Sequence, residues 1–307
     1  MISLRGLQLV SAGHSMFHCN YLAPHTLDEL LAVLQQHGKD AKVIAGGTDL
    51  IPQMRLGRLA PHILVDPRSL ALIKITEVDN AIQIGAGVTH TQVLGSALLK
   101  NDLPALVNAC QQVGGPPVRN RGTLAGNLAN ASPAADSALP LLAYDAQIVI
   151  SRLDGEREIP LDQFYLGPGQ SVLSADEFIH HIQIHKPPPK TTAVFMKLGN
   201  RRAMAIAVAS VAVRLSFSET GQINLARIAL GSVAPTPIRA YQAESILLSN
   251  PLDGSVIKQA AKAARQAADP ISDLRSSADY RSQMVEVLTR RAINLAIYDY
   301  SPELVHA

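Results

Sequence analysis

The hydrophobic positions in the first half of the chain change period repeatedly, which predicts helices and strands in alternation. Thr26 is a candidate N-cap residue, with Glu29 three positions later and apolar residues following at helical spacing. Short apolar runs elsewhere predict strands, and longer runs at helical spacing predict further helices. The predicted strands lie at 42–45, 62–66, 81–86 and 146–151, and the further helices at 89–99, 103–113 and 137–144. Mixed elements at this spacing indicate an α/β or α+β domain.

The three prolines at 187–189 interrupt every period and mark the best domain boundary, because consecutive prolines favour an extended segment. Beyond them, apolar runs at 207–217 and 223–231 predict a hairpin whose turn is Ser218–Gly221. Segments 255–268 and 280–296 then predict amphipathic helices. The second half therefore indicates a smaller α+β domain.

Composition narrows the possible functions. Hydrophobic residues make up 47% of the 307 residues and charged ones 17%, which is typical of a globular protein. Aromatic residues make up 4% and Trp is absent, which argues against a carbohydrate site and against a surface that stacks single-stranded nucleic acid. The formal net charge of +2 is too small for a nucleic-acid-binding surface. Few charges and many apolar residues fit a subunit that buries surface against partners.

The cysteines and the apolar runs indicate a compartment. Cys19 and Cys110 stand far apart and form no Cys-x-x-Cys pattern, so they predict free thiols in a reducing environment. The N-terminus has no sustained apolar core and makes a poor signal peptide. The longest apolar run, 203–213, is too short to cross a bilayer. We expect a cytoplasmic protein without a membrane span.

Two glycine-rich segments, Ala45–Asp49 and Gly122–Asn127, carry the candidate chemistry. Each lies between an apolar run and a polar one, where glycines allow positive φ angles and let several N–H groups point at one anion. A single Gly-Gly pair is usually only a turn. Two such loops, each with a hydroxyl and a carboxylate or amide, favour binding of a dinucleotide diphosphate.

Two other motifs suggest chemistry less strongly. Gly85–His90 starts like a nicotinamide-binding fingerprint, but His90 replaces the third glycine and no acidic residue ends a second strand about twenty residues on. His180, His181 and His185 suggest a metal site, but in a strand His180 would point away from the other two, and no further ligand lies at suitable spacing. Surface or partly buried histidines are the better interpretation.

The segment Val118–Asp136 closely resembles the second flavin loop of the FAD-binding medium subunits of molybdenum hydroxylases, the xanthine dehydrogenase and carbon monoxide dehydrogenase family. Ala45–Asp49 resembles the first loop of that family without change. Three further segments resemble the family in the right order: Ile84–Thr91, Lys197 with Arg201–Met204, and Ser277–Arg281. The resemblance runs from about Phe17 to the C-terminal helix.

The resemblance implies an α+β fold, with a two-subdomain FAD-binding domain of the PCMH/VAO-like type followed by a smaller α+β C-terminal flavoprotein domain. The FAD-binding domain would cover 17–188, divided into subdomains of about 17–70 and 71–188, and the C-terminal domain would cover 189–307. Residues 1–16 precede the family's usual start and would form an N-terminal extension. FAD would lie in the cleft between the two subdomains.

The resemblance also assigns roles to residues. The first loop would wrap the pyrophosphate of FAD, and the second would hold the phosphate and ribityl region. Asp136 would bond to sugar or ribityl hydroxyls, Ile179 would contact the adenine or the flavin, and Lys197 would stabilise the reduced flavin at its pyrimidine end. No catalytic residue and no metal ligand is expected from this chain. The expected FAD-binding residues are Val43, Ile44, Ala45, Gly46, Gly47, Thr48, Asp49, Leu50, Thr123, Leu124, Ala125, Gly126, Asn127, Asp136, Ile179 and Lys197.

The family implies an assembly in which a large molybdopterin subunit hydroxylates the substrate and a small 2Fe-2S subunit passes electrons to this chain. The chain would deliver them to NAD, oxygen or another acceptor, within a dimer of heterotrimers. It lacks the cysteine-containing insertion of some relatives, so FAD would be its only redox centre.

Two alternatives to this electron-transfer role stay open. Ala125 and Ala205 stand where the family usually has Gly and often has Asp, which leaves room for a non-catalytic FAD-holding assembly subunit. A stand-alone flavin oxidoreductase is the other alternative. It is disfavoured because neither a substrate-activating His–Tyr pair nor a flavin-attachment histidine is evident near either loop.

Overall fold

The computed structural model describes residues 19–302, and its elements mix helices and strands as the hydrophobic pattern predicts. The N-terminal extension expected over 1–16 lies outside these residues. The strands are β1 (Asn20–Leu22), β2 (Ala41–Val43), β3 (Ile63–Val65), β4 (Ile75–Val78), β5 (Ala81–Gly85), β6 (Gln147–Arg152), β7 (Gly155–Pro160), β8 (Tyr165–Gly167), β9 (Gln170–Ser171), β10 (Phe178–His185), β11 (Thr191–Gly199), β12 (Ala207–Phe217), β13 (Ile223–Gly231) and β14 (Ile238–Arg239). The helices are α1 (Leu27–His37), α2 (Leu50–Arg55), α3 (His90–Gly95), α4 (Ala97–Asp102), α5 (Pro104–Gln111), α6 (Pro116–Arg121), α7 (Leu124–Ala129), α8 (Ala138–Ala143), α9 (Tyr241–Ser249), α10 (Gly254–Ala267) and α11 (Ala278–Tyr300).

A small parallel sheet, in the order β1-β3-β2, begins the described part of the chain. Helix α1 starts at the predicted cap, because the Thr26 hydroxyl accepts the Glu29 N–H at 3.2 Å. The Glu29 carboxylate in turn accepts the N–H of His25, the residue before the cap, at 2.8 Å, which fixes the chain as it enters the helix. The connection from β2 to α2 is the first glycine-rich segment, which therefore lies at the carboxyl end of a strand.

The second sheet is antiparallel throughout and has the order β4-β5-β10-β6-β7. Its central strand β10 comes last in the chain, and a bulge interrupts its pairing with β6 between Ile179 and His181. The strict alternation expected for the histidines fails at this bulge, and the rings of His180 and His181 lie 5.1 Å apart edge to face. Within residues 19–302, no group of three or more His, Cys, Asp or Glu side chains could hold a metal ion.

The helix predicted over 89–99 is wrong as a single element, because the chain breaks it at Ser96. Ser96 has extended backbone angles and ends α3, and its hydroxyl accepts the Leu99 N–H at 3.3 Å and so begins α4. Serine competes for local backbone donors in this way, which favours a cap over a helix interior. The two short helices turn the chain where one long helix would carry it straight on.

The third sheet, in the order β11-β12-β13-β14, is covered by helices on both faces. Alternate residues of each strand therefore meet different partners. Phe195 and Ala212, directly opposite each other, pack into the core of the first part of the chain, whereas Val194 and Val213 pack among α9, α10 and α11. Double coverage explains why all eleven residues of β12 are buried. The predicted hairpin of β12 and β13 is present, and its turn closes through Ser218 N–H to Gln222 O at 2.8 Å.

Helices α5 and α8, which precede β10 in the chain, cover one face of this third sheet. The approach is closest at Gly231, where a Cβ would lie 2.6 Å from Leu139 Cδ1 of α8. The prolines at 187–189 lie in the connection from β10 to β11. No helix within residues 19–302 combines the length and the hydrophobicity that a membrane crossing requires.

Candidate functional site

The first glycine-rich loop follows β2 and is held tightly against another backbone segment. A Cβ on Gly46 would lie 2.2 Å from the carbonyl oxygen of Arg121, so only glycine fits there. Gly47 has a φ of +72°, which favours glycine again. Within residues 19–302, the N–H groups of 46–49 donate to no protein acceptor. The loop thus presents four consecutive backbone donors, as the sequence led us to expect.

The second glycine-rich loop uses part of its donor set for its own structure. Thr123 is the N-cap of α7, and its hydroxyl accepts the Gly126 N–H at 3.0 Å. Leu124 donates its N–H to the carbonyl of Val88 at 2.9 Å. Among the described residues, the N–H groups of Thr123 and Ala125 have no protein acceptor. This loop therefore offers a ligand fewer donors than its glycine content indicates.

Ala125, where the family usually has glycine, causes no conflict with the fold. It lies inside α7, has no positive φ and is 4% exposed within the core of the first part of the chain. Its methyl group faces the protein interior and fills space there.

The two loops meet along a groove. Gly122 lies so close to the first loop that a Cβ there would be 3.4 Å from Thr48 Oγ1, and Asn130 Nδ2 donates to Asp49 Oδ1 at 3.4 Å. A cavity of about 410 Å³ is lined by one residue of each loop, Ala45 and Thr123, and by Arg121, the residue that precedes the second loop. That volume lies within the usual range for small-molecule sites.

Two guanidinium groups, those of Arg68 and Arg121, also line this cavity. Arg68 is held by Asp66, which is 3% exposed, and the hydrogen bonds that Arg68 donates to Asp66 and Tyr21 raise its pKa further above the ordinary range. The charge of Arg68 is balanced by that of Asp66, whereas Arg121 forms no ion pair among residues 19–302, so Arg121 supplies the positive charge in this lining that suits an anionic ligand.

Asp136 and Lys197, expected to act at different parts of one cofactor, form a buried ion pair. Their side chains are 7% and 6% exposed, and Lys197 Nζ lies 2.5 Å from Asp136 Oδ2. Lys197 also donates to the carbonyl of Gln112 at 3.2 Å. Burial raises the pKa of Asp136 to about 6, although the charge of Lys197 and its hydrogen bond act in the opposite direction. The other carboxylate oxygen, Asp136 Oδ1, is buried without a hydrogen-bond partner among the described residues.

A hydrogen bond connects this ion pair to the second loop. Ser137, the neighbour of Asp136, donates its hydroxyl to Asn127 Oδ1 at 2.7 Å. Asn127 belongs to α7, so the segment that carries Asp136 is fixed to the helix that the second loop begins. The glycine loops and the ion pair are thus parts of one connected structure.

Ile179 occupies a different environment from the other expected site residues. It lies in β10 next to the bulge, is 4% exposed, and belongs to the core of the first part of the chain. Helix α7 packs against this strand. The expected contact of Ile179 with adenine or flavin stays a prediction. Val43, Ile44 and Leu50 frame the first loop, with Ile44 donating its N–H to Val65 O at 2.8 Å.

The matches to protein-family models cover nearly the whole described chain. Residues 15–187 match the family described as the FAD binding domain in molybdopterin dehydrogenase. The chain belongs to this family. Residues 194–296 match the CO dehydrogenase flavoprotein C-terminal domain. The protein is therefore an FAD-binding subunit of the molybdenum hydroxylases, and an oxidoreductase subunit.

Relatives of this FAD-binding subunit share its length as well as its sequence. It is 33% identical to the 6-hydroxypseudooxynicotine dehydrogenase complex subunit alpha of Paenarthrobacter nicotinovorans, over 92% of this chain and 96% of that protein. It is 32% identical to the xanthine dehydrogenase FAD-binding subunit of Escherichia coli O157:H7, over 91% and 96%. Among solved structures, a carbon monoxide dehydrogenase from Hydrogenophaga pseudoflava that lacks the Mo-pyranopterin moiety superposes with a TM-score of 0.87 at 34% identity, covering 91% of this chain and 97% of that one.

Sequence reasoning missed several groups around the FAD-binding site of this subunit. Ser210 is the cross-strand partner of Lys197, so both side chains share one face of the sheet, and its buried hydroxyl has no partner among residues 19–302. His90 is 2% exposed behind the second loop, its Nδ1 3.4 Å from Cys110 Sγ. Burial and the charge of Arg119 lower the pKa of His90 to about 4, so this histidine is neutral near pH 7. The sequence analysis predicts the strands of the hairpin but not β11, the strand that carries Lys197, so the register that pairs Lys197 with Ser210 could not be derived from it.

Proposed function

We propose that the two glycine loops and the Asp136–Lys197 pair bind FAD, and that the chain transfers electrons through it. The observation that carries the proposal is the first loop, whose four N–H groups at 46–49 have no protein acceptor among residues 19–302 and which packs at Gly46 against Arg121 and Gly122 of the second loop region. Such an array binds a phosphate or diphosphate group through oriented backbone dipoles. The buried, unpartnered Asp136 Oδ1 supports the fit, because a carboxylate oxygen in that state calls for a hydroxyl or N–H donor.

Different residues would bind different parts of the cofactor. The N–H groups of 46–49 would bind the pyrophosphate, with Thr48 adding a hydroxyl, and the free N–H groups of Thr123 and Ala125 would assist from the other side. Asp136 would accept a hydrogen bond from a sugar or ribityl hydroxyl through Oδ1. Lys197, held by Asp136 and by Gln112 O, would keep its charge at a fixed place beside the flavin ring.

FAD supplies the redox chemistry in this assignment, because a flavin can take up electrons singly and release them in pairs. The protein's residues bind it, orient it and set the charge around it. We infer that the electrons come from a small iron–sulfur subunit and originate at a large molybdopterin subunit, within a cytoplasmic dimer of heterotrimers. As the acceptor we propose NAD, oxygen or another oxidant. The medium-chain and FAD-subunit names of the relatives support an assembly of several subunits.

The experiment compares two glycine-to-alanine variants of the full chain. Gly46→Ala would place a methyl group 2.2 Å from Arg121 O, whereas a Cβ on Gly95 meets nothing within 4 Å, and Gly95 lies in a helix without a positive φ. Each variant is purified, its absorbance spectrum is recorded, and any cofactor is released with acid and identified. Wild type and Gly95→Ala are expected to contain FAD and no iron, and Gly46→Ala is expected to lose most of its FAD.

Three results would contradict the proposal. One is a wild-type chain that is colourless and takes up no added FAD, and another is normal FAD content in Gly46→Ala. The third concerns electron transfer, which is measured as reduction of the bound FAD by dithionite and by the iron–sulfur partner subunit. FAD that dithionite reduces but the partner subunit does not would limit the chain to holding the cofactor.

A further inference from the structure

A fully buried arginine connects the last helix to the segment that carries Asp136. Arg281 lies in the first turn of α11 and is 1% exposed. Its Nη1 donates to the carbonyl of Ser232 at 3.0 Å, and its Nη2 forms an ion pair with Asp273. Burying a guanidinium group is costly unless its donors are used. Two nitrogen atoms of the Arg281 guanidinium, Nη1 and Nη2, thus bind partners that lie outside α11.

The Ser232 peptide, which Arg281 contacts, reaches across to the first part of the chain. Ser232 has a φ of +62°, a left-handed conformation that a non-glycine residue adopts only when its surroundings hold it there. Its N–H donates to the carbonyl of Pro133 at 2.8 Å, three residues before Asp136. The next carbonyl, that of Val233, accepts the N–H of Asp269 at 2.8 Å. Ser232 is thus fixed from both sides.

The position of Pro133 determines where Asp136 lies. The intervening residues form a compact turn, in which Ala135 donates its N–H to Ser132 O at 3.1 Å and Ala134 donates to Ser132 Oγ at 3.2 Å. A turn closed by such hydrogen bonds moves as a unit, so displacement of the Pro133 carbonyl displaces the Asp136 carboxylate.

The third sheet fixes the position of Lys197 relative to Ser232. Lys197 of β11 lies opposite Ser210 of β12, and Ser210 lies opposite Gly231 of β13, the residue before Ser232. The ion pair and the Ser232–Pro133 hydrogen bond therefore attach one segment to one sheet at the same register, two strands apart.

A second route leads from Arg281 back to the neighbourhood of Lys197. Asp273 accepts the backbone N–H of Arg275 at 2.8 Å and binds its guanidinium, so Arg275 and Arg281 share one carboxylate. The carbonyl of Arg275 accepts a hydrogen bond from Asn200 Nδ2 at 3.2 Å, three residues after Lys197. Both partners of the ion pair are thus connected to Arg281 through short chains of hydrogen bonds.

We propose that Arg281 is a positioning residue of the flavin site, which fixes the Ser232 peptide and thereby holds Asp136 against Lys197. This inference rests on the proposed function, in which Asp136 and Lys197 contact FAD. Loss of the Arg281 donors would leave the Ser232 carbonyl and Asp273 without their partner and would let the Pro133–Asp136 turn shift relative to the sheet. The Lys197 charge would then be less precisely placed beside the flavin.

The test compares Arg281→Met and Arg281→Lys with a matched control in the full-length chain. The control is Arg239→Met, because the Arg239 side chain is also buried, forms a two-point ion pair with Glu244, and contacts Asp145 of the first part without touching the Asp136 segment. The dissociation constant for FAD and the two-electron reduction potential of bound FAD are measured well below each unfolding midpoint. Both the dissociation constant and the reduction potential are therefore measured on folded protein.

Arg281→Met is expected to raise the dissociation constant about tenfold, which corresponds to about 1.4 kcal/mol of binding free energy. It is also expected to lower the reduction potential of bound FAD, because a displaced Lys197 charge stabilises the reduced cofactor less. Arg281→Lys keeps one donor and should fall between Met and wild type. Arg239→Met should lower the unfolding midpoint but leave the dissociation constant within about twofold of wild type and the reduction potential unchanged.

Wild-type affinity and potential in folded Arg281→Met would overturn the positioning role and leave Arg281 as a structural residue only. If Arg281→Met does not fold, Arg281→Lys decides, and a wild-type result there overturns the proposal equally. Asp136→Ala, measured in parallel, separates this failure from that of the proposed function. Unchanged FAD affinity in Asp136→Ala contradicts the site itself, whereas weakened binding there with normal binding in the Arg281 variants contradicts only the inference.

Discussion

At the scale of single residues, Asp136 is the group whose environment departs furthest from what the sequence indicates. The sequence predicts a carboxylate near the cofactor, and in the fold it is buried against Lys197 with one oxygen unpartnered among the described residues. These two residues are 61 positions apart, so no local pattern could predict that they form an ion pair. The glycine loops could be predicted because their conformation is a local property, whereas the ion pair depends on the packing of the third sheet against α8.

The raised pKa of Asp136 predicts a pH dependence of stability in the chain without FAD. A carboxyl group whose pKa is about 6 in the folded state, against an ordinary value of 3.8, binds protons more tightly when the chain is folded. Its contribution is therefore fully present below pH 4 and is lost as the pH rises through 6. We expect wild type to lose about 3 kcal/mol relative to Asp136→Asn across this window, from 1.36 kcal/mol per pKa unit. Urea unfolding at several pH values measures the difference.

A Lys197 variant tests whether burial is the cause of the raised pKa of Asp136. The charge of Lys197 opposes the effect of burial, so Lys197→Met should raise the pKa of Asp136 further and extend the loss of stability above pH 6. A constant difference between wild type and Asp136→Asn at every pH would show that Asp136 titrates alike in both states, and would contradict this account.

At the scale of elements, the helix caps explain where sequence reasoning succeeds and where it fails. Thr26 with Glu29 predicts the start of a helix, and α1 begins there. The run from Thr89 predicts one helix, whereas Ser96 inside that run ends α3 and begins α4. The same spacing of apolar residues fits one long helix and two short ones, so periodicity alone cannot distinguish them. The serine is the local signal that could have revealed the break.

Two of these caps give a matched prediction. Thr123→Ala removes the hydroxyl that accepts the Gly126 N–H, and Ser96→Ala removes the one that accepts the Leu99 N–H. Each change should cost about 1 kcal/mol of stability, the usual value of an N-cap. Only Thr123 begins the helix of the second glycine loop, so only its variant should bind FAD less tightly, by several-fold. Fluorescence titration with FAD, beside urea unfolding of each variant, makes the comparison.

Equal FAD affinity in the two cap variants would mean that the second loop keeps its shape without its cap and contributes to binding in some other way. A larger loss of stability in Ser96→Ala would not affect the conclusion, since the comparison concerns affinity in folded protein.

At the scale of the whole molecule, the third sheet joins the two parts of the chain into one structure. Its two faces belong to two different cores, one shared with the glycine-loop part and one with α9–α11. The sequence predicts the boundary near the prolines and the hairpin strands at 207–217 and 223–231 beyond it, but not β10 and β11, which flank the prolines. It does not reveal that helices α5 and α8 cover the far face. The polar residues of β12, Ser210, Arg214 and Ser216, alternate with apolar ones and would ordinarily indicate a face in water, yet all three are buried.

A pair of adjacent residues in β11 tests this joint packing. Phe195 packs into the core of the first part, and Val194 into the core formed with α9–α11. Phe195→Ala should cost about 3–5 kcal/mol. It should also speed hydrogen exchange in α5 and α8 as much as in β12, because those helices lose their contact with the sheet. Val194→Ala should speed exchange in α11 and leave α5 and α8 protected. Mass spectrometry of exchanged peptides reads all these segments at once. Unchanged protection of α5 and α8 in Phe195→Ala would mean that the first part holds them without the sheet, and the two parts would then be independent units.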